Sequence, residues 1–419
     1  MSILASGSPT ARRWPTRAAS NRSKPTRRRD GSRFVRMIRK PHATSAPVGD
    51  LRDGIARAGR RRFLTLAAAG TAAATVRPAV AQTRRQVRMV TAWPAAFAGF
   101  ADSAGRLARR ITVLTGGALT VQVIPAGERM GAFDVFDAVG AGEVEMYHAL
   151  DSYWQGRSAA FAFFAGVPFG LTAEEHAAWI HHGSGQALWD EIAAPFSIKP
   201  LLAGNTGAHQ TGWYNRPIRD PGELKGLRVA VAGLGGQVLR RLGASAVALP
   251  GRELAPALDA GRIDGAEWLG PWNALAIGLP SAARYMAYPG VFAPNTAITL
   301  GLNLNFWAGL PVGQQQAIVT AATAESAMSL AEFTAGNTRA LVTLRAEHGI
   351  TMMPRPDALL KALGEAAGTI VGETARSDPQ AQRVYDAFVG FRQAALGWSR
   401  QSVQSFLNAR LLPFPYGGP

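Results

Sequence analysis

Residues 224–273 read LKGLRVAVAGLGGQVLRRLGASAVALPGRELAPALDAGRIDGAEWLGPWN. The apolar spacing in this stretch predicts three short strands separated by two helices. The strands are expected over 227–231, 247–249 and 263–268, and the helices over 235–243 and 252–260. Strands that alternate with helices are typical of a parallel sheet covered by helices. The stretch therefore predicts an α/β fold.

The same alternation continues on both sides of this stretch. Upstream, strands are predicted over 87–91, 119–124, 144–149, 198–203 and 209–214, and helices over 99–114 and 132–140. Downstream, a strand region over 296–304 is followed by predicted helices over 311–347, 356–374 and 378–397. The helix over 311–347 would be about 50 Å long at about 1.5 Å per residue. Two sheets and a late helical region are expected.

The charge of the chain is concentrated in its first 81 residues. The whole chain has 45 Lys+Arg and 28 Asp+Glu, a net charge of +17, and no cysteine. Residues 1–81 contain 18 of the basic and 3 of the acidic residues, which leaves 27 basic and 25 acidic residues in 82–419. A net charge near +2 does not favour a nucleic-acid partner for this body. The missing cysteines exclude disulfides and thiol chemistry.

The leader has the order of segments found in export signals. Arg60-Arg61-Arg62-Phe63-Leu64 precedes a moderately apolar run, and Ala79-Val80-Ala81 has the small-x-small form of a cleavage site. The first of these segments resembles a twin-arginine signal. Residues 1 to about 50 are rich in Arg, Pro, Ser and Thr, which predicts disorder. We therefore expect 1–81 to be a disordered extension plus a signal peptide, and the body to be periplasmic.

Few residue patterns point to catalysis. The cluster Gly233-Leu234-Gly235-Gly236 lacks the third glycine of a dinucleotide site, because Val238 stands there. A tight turn before a helix is the favoured interpretation. His176, His181 and His182 do not have the spacing of a helical zinc pair, and we interpret them as surface residues. The sequence does not predict an enzyme.

Glu267 and Trp268 are the most informative residues of the body. They are expected at the carboxyl end of a strand and directly before a helix, which is where open α/β sheets bind ligands. A salt-bridged glutamate beside a core tryptophan explains the same pattern. Both interpretations stay open at the level of sequence.

The chain resembles the solute receptors of tripartite ATP-independent periplasmic (TRAP) transporters, in the branch for 2-oxo acids and for mannitol or chloroaromatic compounds. The resemblance covers most of 82–410. It includes Phe161–Gly170, Asn205–Gly207, Gly212–Tyr214, Leu224–Leu227, Gly265–Pro271 and Tyr288–Gly290. No single motif decides it, but their order after an export signal and before a long helix is specific.

The resemblance implies a two-lobed α/β fold like that of periplasmic binding proteins, with parallel-rich sheets, connecting strands and a long spanning helix. The implied lobes are 82–207 with 296–328, and 208–295 with 329–419. The implied function is capture of a small organic solute in the cleft between the lobes, followed by delivery to the membrane subunits of the transporter. An exported enzyme on a similar scaffold is the alternative. A monomer and a homodimer are both compatible with the family.

The resemblance also implies a ligand site from which this chain departs at two positions. Receptors for 2-oxo acids hold the ligand carboxylate with an arginine on the strand after Leu-Lys-Gly-Leu, where this chain has Ala230. They can hold a sodium ion with a glutamine, a glutamate and a tryptophan main chain. This chain has His209, Glu267 and Trp268 at those three positions. Sodium is the only ion implied, and no other cofactor is expected.

These departures predict the class of solute. Without the arginine, a carboxylate would lose its bidentate partner, so simple 2-oxo acids are expected to bind weakly. Arg228 aligns with an outward-facing residue and is not expected to reach the cleft. A neutral, polyol-like, aromatic or cationic solute that faces the charge of Glu267 is favoured. The ligand-binding residues are expected to be Trp93, Trp154, His209, Trp213, Tyr214, Glu267, Trp268 and Trp272.

Overall fold

The described part of the chain consists of residues 84–208 and 211–414 of a computed structural model. The predicted extension and export signal lie outside these ranges, and so does His209. Within the described ranges, no helix is both long enough and apolar enough to cross a membrane.

Strands and helices alternate along the body, as the apolar spacing predicts. The strands are β1 Arg85–Thr91, β2 Leu119–Ile124, β3 Met146–Ala149, β4 Ile198–Asn205, β5 Thr211–Tyr214, β6 Arg228–Ala230, β7 Ser245–Val247, β8 Gly265–Trp268, β9 Tyr285–Tyr288, β10 Ala297–Asn303 and β11 Thr351–Pro354. The predicted strands agree with these to within a few residues. The short strands β9 and β11 were not predicted.

The α-helices cover both sheets and form the late part of the chain. They are α1 Phe100–Leu114, α2 Val135–Gly140, α3 Ala162–Ala165, α4 Ala173–His182, α5 Gly185–Ala193, α6 Gly233–Arg241, α7 Gly251–Asp259, α8 Pro271–Ala276, α9 Leu279–Ala282, α10 Leu304–Ala308, α11 Val312–Ala346, α12 Asp357–Arg376, α13 Pro379–Gln401 and α14 Val403–Ala409. Short 3₁₀ turns lie at 151–154, 159–161, 194–196 and 221–224.

The strands form two mixed sheets, and each sheet has a single antiparallel strand among parallel ones. Sheet I has the strand order β2-β1-β3-β10-β4, and sheet II has the order β11-β9-β5-β8-β6-β7. All strands of sheet I are parallel except β10, and all strands of sheet II are parallel except β5. The α/β class with parallel-rich sheets is confirmed. The boundaries of the two lobes stay a prediction, because one core cluster takes buried residues from both sheets.

The long helix α11 packs on both sheets in turn. It spans 35 residues, which agrees with the predicted helix over 311–347. Ile318 near its start belongs to the core under sheet I, and Leu344 near its end belongs to the core under sheet II. Phe333 between them packs against residues that follow strands of each sheet. Helix α11 therefore packs against the cores of both sheets.

A buried carboxylate joins α11 to α1. The side chain of Glu325 has no exposed surface and accepts hydrogen bonds from Arg106 Nη2 at 2.8 Å and Arg110 Nη1 at 2.5 Å. Arg106 also binds Glu332 Oε2 at 2.7 Å. The two arginines lie one helical turn apart on α1, so both reach the same carboxylate.

Glu325→Ala is expected to lower the free energy of unfolding by about 2 kcal/mol, because Arg110 loses its carboxylate partner and Arg106 keeps only Glu332. Urea denaturation at unchanged m value measures this loss. Glu373→Ala is the matched control, since the Glu373–Arg241 pair is about half exposed and such pairs contribute under about 1 kcal/mol. Equal losses in the two variants would contradict the assignment.

Candidate functional site

An aromatic cluster lies at the carboxyl ends of strands from both sheets. Its buried members are Trp93, Phe100, Leu269, Ile298 and Phe333, and Ala92, Phe97, Leu150, Trp268 and Trp272 pack against them. We call these ten residues the bridging cluster. Trp93 and Leu150 follow β1 and β3 of sheet I, and Leu269 follows β8 of sheet II. Ligands of open α/β sheets bind outside the carboxyl ends of strands, so the bridging cluster is the candidate site.

The backbone at Gly99 approaches two members of the bridging cluster, Phe333 and Trp272, very closely. Gly99, at a φ of +77°, lies so near Phe333 and Trp272 that a Cβ there would stand 2.7 Å from Phe333 Cζ. Asn337 Oδ1 on α11 accepts a hydrogen bond from the backbone N–H of Trp272 at 3.0 Å. Asn273 Nδ2 donates to the carbonyl of Ala98 at 2.9 Å. These contacts fix the start of α8 against α1 and α11.

Two tryptophans of the bridging cluster keep an unused donor. The indole Nε1 atoms of Trp93 and Trp268 are buried, and neither has a hydrogen-bond partner within the described residues. A buried N–H without a partner is costly, and native structures usually satisfy it. The bridging cluster thus combines aromatic side chains with two unpaired neutral donors, and, among the described residues, Trp154, Trp179 and Trp213 in the core also have unpaired indole N–H groups.

Glu267 lies beside the bridging cluster but faces the other way. Its carboxylate Oε1 accepts a hydrogen bond from Tyr214 Oη at 2.5 Å and from Arg355 Nη2 at 2.7 Å. Arg355 Nε donates to the carbonyl of Pro289 at 3.1 Å. The side chains of Glu267 and Arg355 are 0% and 2% exposed. The salt-bridge interpretation of Glu267 is therefore confirmed, and its partner is a residue that the sequence analysis missed.

Burial and charge act together on this group. Burial, followed by the neighbouring Glu267 charge, raises the pKa of the Tyr214 hydroxyl well above its usual value. Burial alone would lower the pKa of Arg355, but the charge of Glu267 raises it overall. The Tyr214 phenol therefore stays a donor and the Arg355 guanidinium stays charged at any physiological pH.

This arrangement corrects the expected charge of the site. The sequence leaves Glu267 as an uncompensated negative charge once Ala230 replaces an arginine. The structure shows that Arg355 compensates it from a position 88 residues later in the chain. The electrostatic reason to favour a cationic solute therefore disappears. Arg355 is flanked by Pro354 and Pro356, and a lone arginine between prolines after a short apolar run is the only sequence signal for it.

Two glycines make room for the ion pair. A Cβ on Gly212 would lie 2.5 Å from Tyr214 Cε2, 2.6 Å from Glu267 Oε1 and 2.7 Å from Arg355 Nη2. A Cβ on Gly265 would lie 2.3 Å from Tyr214 Cδ1. Both glycines lie on the face of sheet II that carries these side chains. The Gly-Trp-Tyr motif thus contributes its glycine as well as its tyrosine.

The structure locates the two residues that bear on carboxylate binding. Ala230 ends β6 and is buried in a cluster that also holds Trp213 and contacts Trp268. Arg228 lies at the start of β6 and is half exposed, and its Nη2 binds Asp264 Oδ1 at 2.7 Å. The expectation that Arg228 does not reach the cleft is confirmed, because both residues of this pair lie at the amino end of their strands.

The predicted site residues are only partly brought together. Trp93, Trp268 and Trp272 belong to the bridging cluster, whereas Tyr214 and Glu267 meet on the adjoining face of sheet II. Trp213 is fully buried on the opposite face, since neighbours on a strand point to opposite sides. Trp154 packs on Phe136 at a ring distance of 4.9 Å, inside the core of sheet I. His209 lies outside the described residues.

A buried histidine adjoins the bridging cluster. His148 on β3 has no exposed surface, and its ring stands edge-on to Trp93 at 5.0 Å. Burial lowers the pKa of His148 to about 3. His176 is also buried, so interpreting it as a surface residue was wrong, whereas His181 and His182 are exposed as expected. The apolar face of α4 explains this, because His176 packs beside Trp179.

A surface groove elsewhere is a weaker candidate. It has a cavity volume of about 430 Å³ and lies between α1 and α11. Arg106 and Arg110 line it, and both already pair with Glu325. The groove does not lie at the carboxyl ends of the strands. The bridging cluster therefore remains the candidate site.

Comparison with known proteins decides the family. Residues 99–378 match the model of DctP, the bacterial extracellular solute-binding proteins of family 7. The chain belongs to this family. A monocarboxylate 2-oxoacid-binding periplasmic protein of Nostoc sp. is 37% identical over 321 residues, which cover 77% of this chain and 88% of that protein. The sequence-based recognition of a receptor is thereby confirmed.

Solved structures of TRAP solute-binding proteins have the same fold. The one from Bordetella bronchiseptica has a TM-score of 0.75 and 32% identity, covers 78% of this chain and 97% of its own, and is a dimer with calcium and picolinate in one site. The one from Pseudoalteromonas atlantica has a TM-score of 0.74 and 28% identity, covers 78% and 99%, and holds sodium and pyruvate. The one from Colwellia psychrerythraea, with a TM-score of 0.75 and 27% identity, covers 78% and 99% and holds calcium and pyruvate.

Gly212→Ala is expected to lower the free energy of unfolding of the receptor by about 2 kcal/mol, since overpacking a filled site costs about 1–3 kcal/mol. The Cβ would displace both members of the ion pair and the Tyr214 ring at once. Gly368→Ala in α12 is the matched control, because its Cβ meets no atom within 4 Å. That control should instead stabilise by about 0.5–1 kcal/mol. Urea midpoints measure both, and a neutral Gly212→Ala would contradict the packing described.

His148→Gln is expected to change how stability depends on pH. The unfolded histidine has a pKa of about 6.5, and the folded one of about 3. Between these values only the unfolded state binds the proton, so stability rises with pH by up to about 1.4 kcal/mol per unit. Urea denaturation from pH 4 to 6.5 should show a shallower slope for His148→Gln than for the wild type. Equal slopes for the variant and the wild type would refute the assignment.

Proposed function

We propose that this receptor binds a small organic acid with an aromatic or otherwise apolar body in the bridging cluster, and delivers it to the membrane subunits of a TRAP transporter. The observation that carries the proposal is the mainly aromatic bridging cluster at the carboxyl ends of β1, β3 and β8, in which Trp93 and Trp268 have indole N–H groups without a partner among the described residues. Aromatic faces favour a flat solute, and neutral donors suit its oxygen atoms.

The missing guanidinium separates this receptor from those for simple 2-oxo acids. Ala230 stands where the family resemblance implies a carboxylate-binding arginine, and Arg228 is engaged by Asp264. A charge-assisted bidentate contact is about twice as strong as a neutral hydrogen bond. A pyruvate-sized solute has little apolar surface to replace that contact. An aromatic acid such as picolinate, which the Bordetella relative holds, has more.

The cellular role follows from the relatives and the leader. The relatives named above are periplasmic or transporter-associated binding proteins. Residues 60–81 carry the order of segments expected of an export signal. We infer a periplasmic receptor without catalytic turnover, monomeric or dimeric like its relatives.

Calorimetry with the purified protein tests the solute class. Picolinate and benzoate are expected to bind at least tenfold more tightly than pyruvate or mannitol. At about 100 times its Kd, a solute stabilises by roughly 2.7 kcal/mol, so thermal unfolding provides a second readout. Trp268→Phe keeps a smaller aromatic ring but removes the indole N–H, and should weaken picolinate binding about tenfold, which corresponds to about 1.4 kcal/mol.

Ala230→Arg tests the cause of the expected discrimination. In protein whose urea midpoint shows that the guanidinium is tolerated at this buried position, it should strengthen pyruvate binding at least tenfold by restoring a bidentate partner. Arg228→Ala is the control and should change the affinity for any probe less than twofold. Tight binding of pyruvate to the wild type, unaffected by Ala230→Arg, would refute the proposed solute class while leaving the receptor function intact.

A further inference from the structure

His148 lies at the edge of the bridging cluster with an unpaired ring. It is the third residue of β3, two positions before Leu150 of the cluster, and it has no exposed surface. The centre of its ring is 5.0 Å from that of Trp93, and the two rings are nearly perpendicular. Neither ring nitrogen has a hydrogen-bond partner within residues 84–208 and 211–414. A neutral imidazole at this position thus keeps one donor and one acceptor beside the candidate site.

The rings of His148 and Trp93 are close enough to hold one carboxylate together. The indole Nε1 of Trp93 is also buried and has no partner among the described residues. A hydrogen bond spans about 2.7–3.2 Å between its heavy atoms, so nitrogens on rings at this separation can both reach the oxygens of one acid group. Ligand sites enclose most of a small solute, so complete burial of the two rings suits such a contact.

The imidazole has no free charge beside it on its own face of sheet I. Burial lowers the pKa of His148 to about 3, and the backbone of Ala203 offsets only part of this. His148 shares its face with Met146, which packs under α1 and α11. The buried and half-buried charged side chains of α1, α11 and β1 are paired, namely Arg106 and Arg110 with Glu325 and Glu332, and Arg85 and Arg88 with Glu145. The other charged side chains of these three elements are exposed: Asp102, Arg109, Arg339 and Arg345.

Asp151 is the competing titratable group, on the other face of β3. Tyr147, the neighbour of His148, points to that face and donates to Asp151 Oδ1 at 3.4 Å. Trp189 Nε1 donates to Asp151 Oδ2 at 2.6 Å. Burial raises the pKa of Asp151 to about 6 and that of the Tyr147 hydroxyl well above its usual value. Any proton uptake by this part of the receptor must therefore be assigned between His148 and Asp151.

An organic acid in the bridging cluster needs a positive partner. A buried carboxylate is costly without a compensating charge. Ala230 carries no charge, and the guanidinium of Arg355 is already paired with Glu267. We propose that His148 takes up one proton from solvent when the acid binds, so that the solute is held as a carboxylate–imidazolium pair. The proposal rests on the proposed function in that the solute is an acid. The new N–H bond forms on the ring nitrogen that carries no hydrogen, and no bond of the solute breaks.

Calorimetry with benzoate in buffers of different ionisation enthalpy counts the protons taken up. Benzoate is the probe because its single titratable group is almost fully ionised from pH 5.5 to 8. A carboxylate within about 4–6 Å raises the pKa of a base by about 1–3, which brings the pKa of His148 from about 3 to near 6. We expect about 0.75 proton per benzoate at pH 5.5 and almost none at pH 8, with a Kd about fourfold lower at pH 5.5.

Three variants assign the proton to one residue. His148→Gln keeps a polar side chain but cannot take up the proton, so uptake at pH 5.5 should fall below about 0.2 and the pH dependence of Kd should disappear. His176→Gln is the matched control, because His176 is equally buried and unpaired among the described residues but lies beside Trp179 on α4. Asp151→Asn removes the competing acid. Both of these variants should keep the wild-type uptake.

The outcomes separate this proposal from the proposed function. Benzoate binding without proton uptake at pH 5.5 would overturn the role of His148 and leave the solute class intact. Uptake that is lost in Asp151→Asn and kept in His148→Gln would also overturn it. No benzoate binding at any pH would contradict both proposals.

Nuclear magnetic resonance of the imidazole nitrogens decides the matter if His148→Gln does not fold. In the wild type, the His148 signals should titrate between pH 5.5 and 8 only when benzoate is bound. A ring that stays neutral over this range with benzoate bound would overturn the proposal.

Discussion

The buried contact between Glu267 and Arg355 fixes the part of sheet II on which the site is built. It connects β8 to the end of β11, and the backbone carbonyl of Pro289 after β9 holds the same guanidinium. Breaking a buried pair leaves one uncompensated charge in the interior, which typically costs about 3–5 kcal/mol. The surrounding sequence is consistent with that demand, because Gly212 keeps its Cβ position free for the pair.

Helix α11 provides the second constraint. Its N-terminal half packs under sheet I, its C-terminal half packs under sheet II, and Phe333 enters the bridging cluster between them. The Glu325 contacts with Arg106 and Arg110 lock its first half to α1. Because Phe333 of α11 belongs to the bridging cluster, motion of one sheet relative to the other would change the packing at the candidate site.

The sequence predicted most elements because their apolar spacing is regular. The strand at 119–124 and the helix at 311–347 agree closely with β2 and α11. The short strands β9 and β11 were missed, although the equally short β3, β5 and β8 were predicted. His176 was misplaced because a polar side chain on the apolar face of α4 cannot be told from an exposed one by composition alone. The family resemblance supplied the fold that local patterns left open.

Composition and local pattern by themselves determined the split between a basic leader and a nearly neutral body and the α/β class, while the family came from the resemblance of several motifs to TRAP receptors. The local pattern also located Glu267 and Trp268 at the end of a strand. Only the tertiary structure decided what Glu267 touches, because its partner Arg355 lies 88 positions away and arrives through the parallel pairing of β9 and β11. The net electrostatic field around a charged residue cannot be judged until its neighbours in space are known. The physical reason is that electrostatic compensation depends on distance in the folded chain and on burial, and neither is encoded at a single position.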